Sequence, residues 1–125
     1  MAVVPDFLIK RVYKKGSLRE QDGAVEFDLK NVLGPGVICG LEYVQINDYK
    51  FTKEAISFIT QGVELFANSV SEINPIRFRL GQEGTMRLLE EVKCLKNGVN
   101  KIIIEFLNPE AGRMKITLED NLSLA

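Results

Sequence analysis

The sequence predicts an all-β fold, a single antiparallel β-sandwich, jelly-roll-like, spanning residues 1–125 as one domain. Three observations carry this. Apolar and polar residues alternate with a period of two in segment after segment, as half-buried strands require. Gly, Asn, Asp and Pro break the chain at almost every interval between those segments. The length of 125 residues suits one domain with a real core, and an apolar content of 46% against 26% charged is that of an ordinary globular chain.

Taken in order, Phe7 to Tyr13 reads as a strand, and Gly16-Ser17 and Asp22-Gly23 punctuate the chain around Leu18-Arg19. Ala24 to Lys30 alternates cleanly, which places Val25, Phe27 and Leu29 on a buried face. Gly34-Pro35-Gly36 predicts a sharp turn, followed by an apolar strand from Val37 to Ile46 with a bulge at Gly40. Asn47-Asp48 turns the chain into Tyr49-Lys50-Phe51. Gln61-Gly62 is a two-residue hairpin signal between Ile56–Thr60 and Val63–Ala67.

Asn68 to Asn74 is polar enough for an irregular or one-turn helical loop, ended by Pro75. Ile76 to Leu80 alternates again, and Gly81-Gln82-Glu83-Gly84 reads as a hairpin turn. Met86 to Leu95 suits helix by propensity, but the Asn97-Gly98 turn and the β-branched Ile102–Phe106 run that follow argue for a strand. After a turn at Asn108–Gly112, Met114, Ile116 and Leu118 share one face of the last strand.

Composition excludes several function classes. The chain has 16 Lys+Arg, 17 Asp+Glu and a net charge of −1, so no dominant field draws it to nucleic acid or anionic lipid. No apolar run approaches the ~18 residues that a membrane-spanning helix needs. The N-terminus lacks a basic region, and Pro5 and Asp6 interrupt its apolar run, so a cytoplasmic location is expected. The absence of His removes imidazole acid–base chemistry, Ser-His and Cys-His nucleophiles, and most zinc sites. Cys39 and Cys94 lie in apolar segments and read as buried free thiols, with a disulfide between them as the minor alternative.

The remaining candidates are weak. Gly81–Gly84 lacks the Lys-Ser/Thr of a phosphate loop. Lys10, Arg11, Lys14, Lys15 and Arg19, with Phe7 and Tyr13 among them, could touch RNA or an acidic partner, but a lysine-protected edge strand explains them better. Glu90-Glu91 and Glu119-Asp120 are adjacent on strands, where neighbours point to opposite faces and cannot converge on a metal. No catalytic, cofactor-binding or metal-binding residue is assigned.

Several segments together resemble a known family: Gly16–Arg19, Glu26–Gly36, Asn68–Glu72 with Pro75, and Glu110–Ile116 leading into Asp120. Their order is similar to that of the small β subunits of bacterial C-glycoside deglycosidases. The resemblance runs from about Leu8 to Asp120, and its most specific motif is Phe27-x-Leu29-x-Asn31-x-Leu33-x-Pro35-Gly36. It implies a non-catalytic subunit, inactive alone, of a carbon–carbon lyase acting on flavonoid or other aromatic 3-oxo C-glycosides. The implied partner is a catalytic α subunit with an isomerase-like barrel that holds a divalent metal, Mn2+, within a larger hetero-oligomer. The chain itself would bind no cofactor, nucleic acid or membrane.

Two other readings compete with it. A stand-alone carbohydrate-binding or adaptor sandwich would need exposed aromatics, for which Tyr13, Tyr43 and Tyr49 are the amphipathic candidates and Trp is absent. An RNA-binding barrel using the Lys10–Arg19 patch conflicts with a pI near 5.6.

Overall fold

A computed structural model of the protein describes residue 8 and residues 10–34, 36–90 and 93–122. The strands are β1 (Arg19–Gln21), β2 (Ala24–Lys30), β3 (Gly36–Ile38), β4 (Gly40–Ile46), β5 (Tyr49–Phe51), β6 (Ile56–Thr60), β7 (Val63–Phe66), β8 (Ile76–Phe78), β9 (Glu83–Leu88), β10 (Gly98–Asn108) and β11 (Gly112–Leu122). They pair antiparallel into a five-stranded sheet, β1-β2-β9-β6-β7, a four-stranded sheet, β11-β10-β4-β5, and a small β3-β8 pair. The two larger sheets pack face to face as a β-sandwich, the fold class expected, and the hairpins β1-β2, β4-β5, β6-β7 and β10-β11 each pair within one sheet.

The core follows from the alternation. Val25, Phe27 and Leu29 of β2 are buried, as are Met86 and Leu88 of β9 and Ile56 and Phe58 of β6. Against them lie Val44 and Ile46 of β4, Phe51 of β5, and Ile102 and Ile104 of β10. Phe58 and Phe78 meet edge to face with ring centroids 5.3 Å apart. Turn chemistry fixes the hairpins: Asp22 and Gly23 before β2, and Gln61 and Gly62 before β7, all take positive φ, the geometry of type I′ turns.

Four elements differ from expectation. In Phe7–Tyr13, where a strand was expected, Phe7 and Ile9 lie outside the described residues, Lys10–Val12 forms a 3₁₀ turn, and Tyr13 makes one isolated bridge to Leu29. The Val37–Ile46 strand is two strands in different sheets, separated at Cys39. Gly40 is the first residue of the second, with Leu107 so close that a Cβ would sit 2.9 Å from its Cδ1. The ladder irregularity expected at Gly40 falls at Glu42, between the pairs Leu41–Phe106 and Tyr43–Glu105. β8 ends at Phe78, so Leu80 stands in a turn, and strand β9 already begins at Glu83. That strand ends at Leu88, and the described residues from Leu89 to Asn97 are irregular.

Candidate functional site

One end of the sandwich holds an apolar cavity of about 260 Å³. Leu29 of β2 and Met86 of β9 line it from one sheet, and Leu41 and Ile104 from the other. The predicted stripe Met114, Ile116 and Leu118 of β11 forms a side wall with Phe106. The small β3-β8 pair contributes Val37, Ile38 and Phe78, and the N-terminal turn contributes Val12 and Tyr13. Residues far apart in sequence thus meet because β2 and β11 run along facing layers of the sandwich.

Among the described residues three polar side chains border the cavity, and each is bonded to the protein itself. Tyr13 donates its hydroxyl to Asp120 Oδ2 at 2.6 Å. The Asn31 amide nitrogen donates to the carbonyls of Gly34 and Phe78, while its oxygen accepts from the backbone N–H groups of Leu33 and Gly34. Asn108 donates to the Val37 carbonyl at 2.9 Å and accepts from the N–H groups of Glu110 and Ala111. The two asparagines therefore clamp the loops at the cavity mouth. Their signal in the sequence is an Asn followed within three or four residues by Gly, which reads only as a turn.

The clamped loop leaves apolar surface outside. Val32 is 46% exposed and Leu33 41%. Gly81 N–H donates to the Asn31 carbonyl and Asn31 N–H to that of Gln82, bringing the Leu80 turn alongside, with Leu80 62% exposed.

The charged candidates are engaged elsewhere. Arg19 grips Asp28 with two hydrogen bonds of 3.0 and 3.1 Å and reaches Glu26 at 3.1 Å. Lys14 lies 3.7 Å from Glu83, so the Lys10–Arg19 run is partly neutralised. Arg87 Nε is buried and sits 3.2 Å from Glu26, paired by charge although misaligned for a hydrogen bond. Asp120 is buried while Glu119 is exposed, the opposite-face arrangement expected of strand neighbours. Glu90 accepts the Tyr49 hydroxyl, and Glu91 lies outside the described residues.

No group of three or more His, Cys, Asp or Glu side chains able to hold a metal occurs among the described residues. Cys39 and Cys94 are free thiols, the first buried and the second half-buried, and burial pushes the Cys94 thiol up. Of the three tyrosines, Tyr13 is buried and Tyr43 carries the Lys50 ammonium over its ring at 4.0 Å. No helix among the described residues is long and apolar enough to cross a membrane.

The family model described as "Hydroxymethylglutaryl-CoA reductase, N-terminal domain" matches residues 8–123. The chain belongs to this family. A search of curated proteins finds no match. The match overturns the resemblance to the C-glycoside deglycosidase β subunits, and with it the lyase function and its C-glycoside substrates. The structure shows why the shared motifs misled. Asn31 and Asn108 close their loops by side-chain hydrogen bonds to backbone groups, and Gly36 opens strand β3, tasks that recur in any β-sandwich. The barrel-fold α subunit and its Mn2+ rested on that resemblance alone.

Proposed function

We propose that the chain is an accessory β-sandwich domain of an enzyme that reduces hydroxymethylglutaryl-CoA, supplying a docking face and no catalytic group. The family match supports the enzyme class. The observation that carries the accessory role is the apolar cluster of Val32, Leu33 and Leu80, held outward by the Asn31 clamp. Burying these half-exposed side chains against a partner contributes on the order of 1 kcal/mol each. The occupant of this face is the catalytic region of the reductase, whether on the same polypeptide or another. The chain's own ionisable groups support the same reading. Asp28, Glu26 and Glu64 are committed to Arg19, Arg87 and Ser57 on the outer face of the five-stranded sheet, and Asp120 to Tyr13 and Gly16.

The test is to capture the tagged chain from cells of its own source and to assay the eluate for consumption of hydroxymethylglutaryl-CoA. Purified chain alone serves as the comparison. The expected result is no turnover by the chain alone, and turnover by an eluate containing a second polypeptide region in equal amount. Turnover by the isolated chain, or a captured assembly that leaves the thioester untouched, would overturn the reading.

A further inference from the structure

We propose that the inter-sheet cavity is a binding site for an uncharged hydrocarbon moiety, an acyl chain or a fused aromatic ring. The argument starts from the polar atoms. A ligand hydrogen-bonding group entering an apolar site must find a partner or suffer desolvation without compensation. Here Tyr13 is committed to Asp120, both amide hydrogens of Asn31 to Gly34 and Phe78, and Asn108 through its side-chain oxygen to two backbone N–H groups and through Nδ2 to the Val37 carbonyl. The rest of the wall is aliphatic, thioether or aromatic, and no charged side chain among the described residues lines it. The site therefore rewards dispersion and burial and selects against charge.

Size narrows the class further. An apolar cavity of about 150 Å³ already accepts benzene and stays dry when empty. At about 260 Å³ this one has room for a larger hydrocarbon. The cavity is also lined from both large sheets and from the β3-β8 pair, which favours a small molecule over a helix or strand of another protein. Entry is provided beside β11, where Phe106, Met114 and Ile116 are half-buried.

The experiment uses the full chain with methyl-labelled methionine. Met86, 2% exposed, reports on the floor and Met114 on the wall of the same cavity. The protein is titrated with N-phenyl-1-naphthylamine, read by fluorescence, and separately with n-octanol, read by methyl shifts. These two arms distinguish a ring-shaped from a chain-shaped occupant. Saturable binding of one or both at one site per chain, with Met86 and Met114 signals both moving, is expected. Ile116→Trp, which fills the cavity from the wall, should weaken binding at least tenfold, and Met114→Phe should weaken it less. Thermal unfolding of both variants checks that they remain folded. Non-saturable binding, saturation without movement of the two methionines, or undiminished affinity in a folded I116W protein would each overturn the proposal.

Discussion

The Tyr13 hydroxyl donates to the Asp120 carboxylate at 2.6 Å across 107 positions of sequence, tying the entry of the chain to its last strand. Gly16 N–H adds donors to both Asp120 oxygens at 2.9 and 3.1 Å, and the Tyr13 ring packs on Phe27 with centroids 5.5 Å apart. Tyr13→Phe keeps the ring and removes the hydrogen bond. It should cost about 1.5 kcal/mol in urea unfolding, the scale of a hydrogen bond to a charged group.

The same contact predicts an alkaline signature. Burial, followed by the hydrogen bond to Asp120 and its charge, raises the Tyr13 hydroxyl far above the ordinary tyrosine range. Its folded value exceeds its unfolded value, so the stabilisation is fully present below about pH 10 and declines as pH rises beyond it. Wild-type stability should fall more steeply than that of Y13F between pH 10 and 11, measured by urea titration. Parallel slopes would contradict the assignment.

Acid stability depends on Asp28. Burial pushes its carboxyl up, but hydrogen bonds from Arg19 and Thr85 and the charges of Arg19 and Lys14 outweigh that and hold it below the usual range. A lowered folded value means stabilisation that is present above about pH 4 and is lost as the solution becomes more acidic. Asp28→Asn should flatten the decline in unfolding midpoint on acidification. An unchanged acid limb would show that the pair contributes nothing measurable.

Gly84 lies within strand β9, and a Cβ built there falls 2.1 Å from Phe58 Cζ. Phe58 is 1% exposed and wedged against Phe78, so it has no room to yield. Gly84→Ala should cost about 2 kcal/mol or more, the scale of overpacking a core. Differential scanning calorimetry would check it, and a midpoint within a degree of wild type would refute the close approach.

Asn100 is fully buried, and its side-chain Oδ1 accepts from Asn47 Nδ2 at 2.8 Å and Lys96 N–H at 3.0 Å. Its amide returns a bond to the Lys96 carbonyl at 2.8 Å. Asn100→Ala strands these groups without partners and should cost about 3 kcal/mol. Amide hydrogen exchange should also speed up at Lys96 and Lys101, the latter held by Asn47 Oδ1. Unchanged exchange at both sites would argue against the network.

These residues show which parts of the molecule the sequence discloses. The alternation in β2 and the Met114, Ile116 and Leu118 stripe are local patterns, and both were legible. Gly84 was misread as a turn residue because its need for glycine comes from Phe58, more than twenty positions away on a neighbouring strand. The cavity was invisible for the same reason, since no local signal says that the β11 stripe faces Leu29 and Met86. Tyr13 reads as part of a strand, yet its position is set by Asp120. The family was misassigned on loop motifs whose residues serve backbone closure.

The docking claim is tested most directly by repeating the capture with a Val32→Asp/Leu80→Asp protein. Both side chains are exposed, so the variant should fold with a wild-type unfolding midpoint. The account predicts that it brings down no hydroxymethylglutaryl-CoA-reducing region, or at least tenfold less than wild type. For a single polypeptide, the expected change is faster proteolytic separation of the two regions. Undiminished association by a folded double variant would contradict the central claim that this apolar face carries the contact.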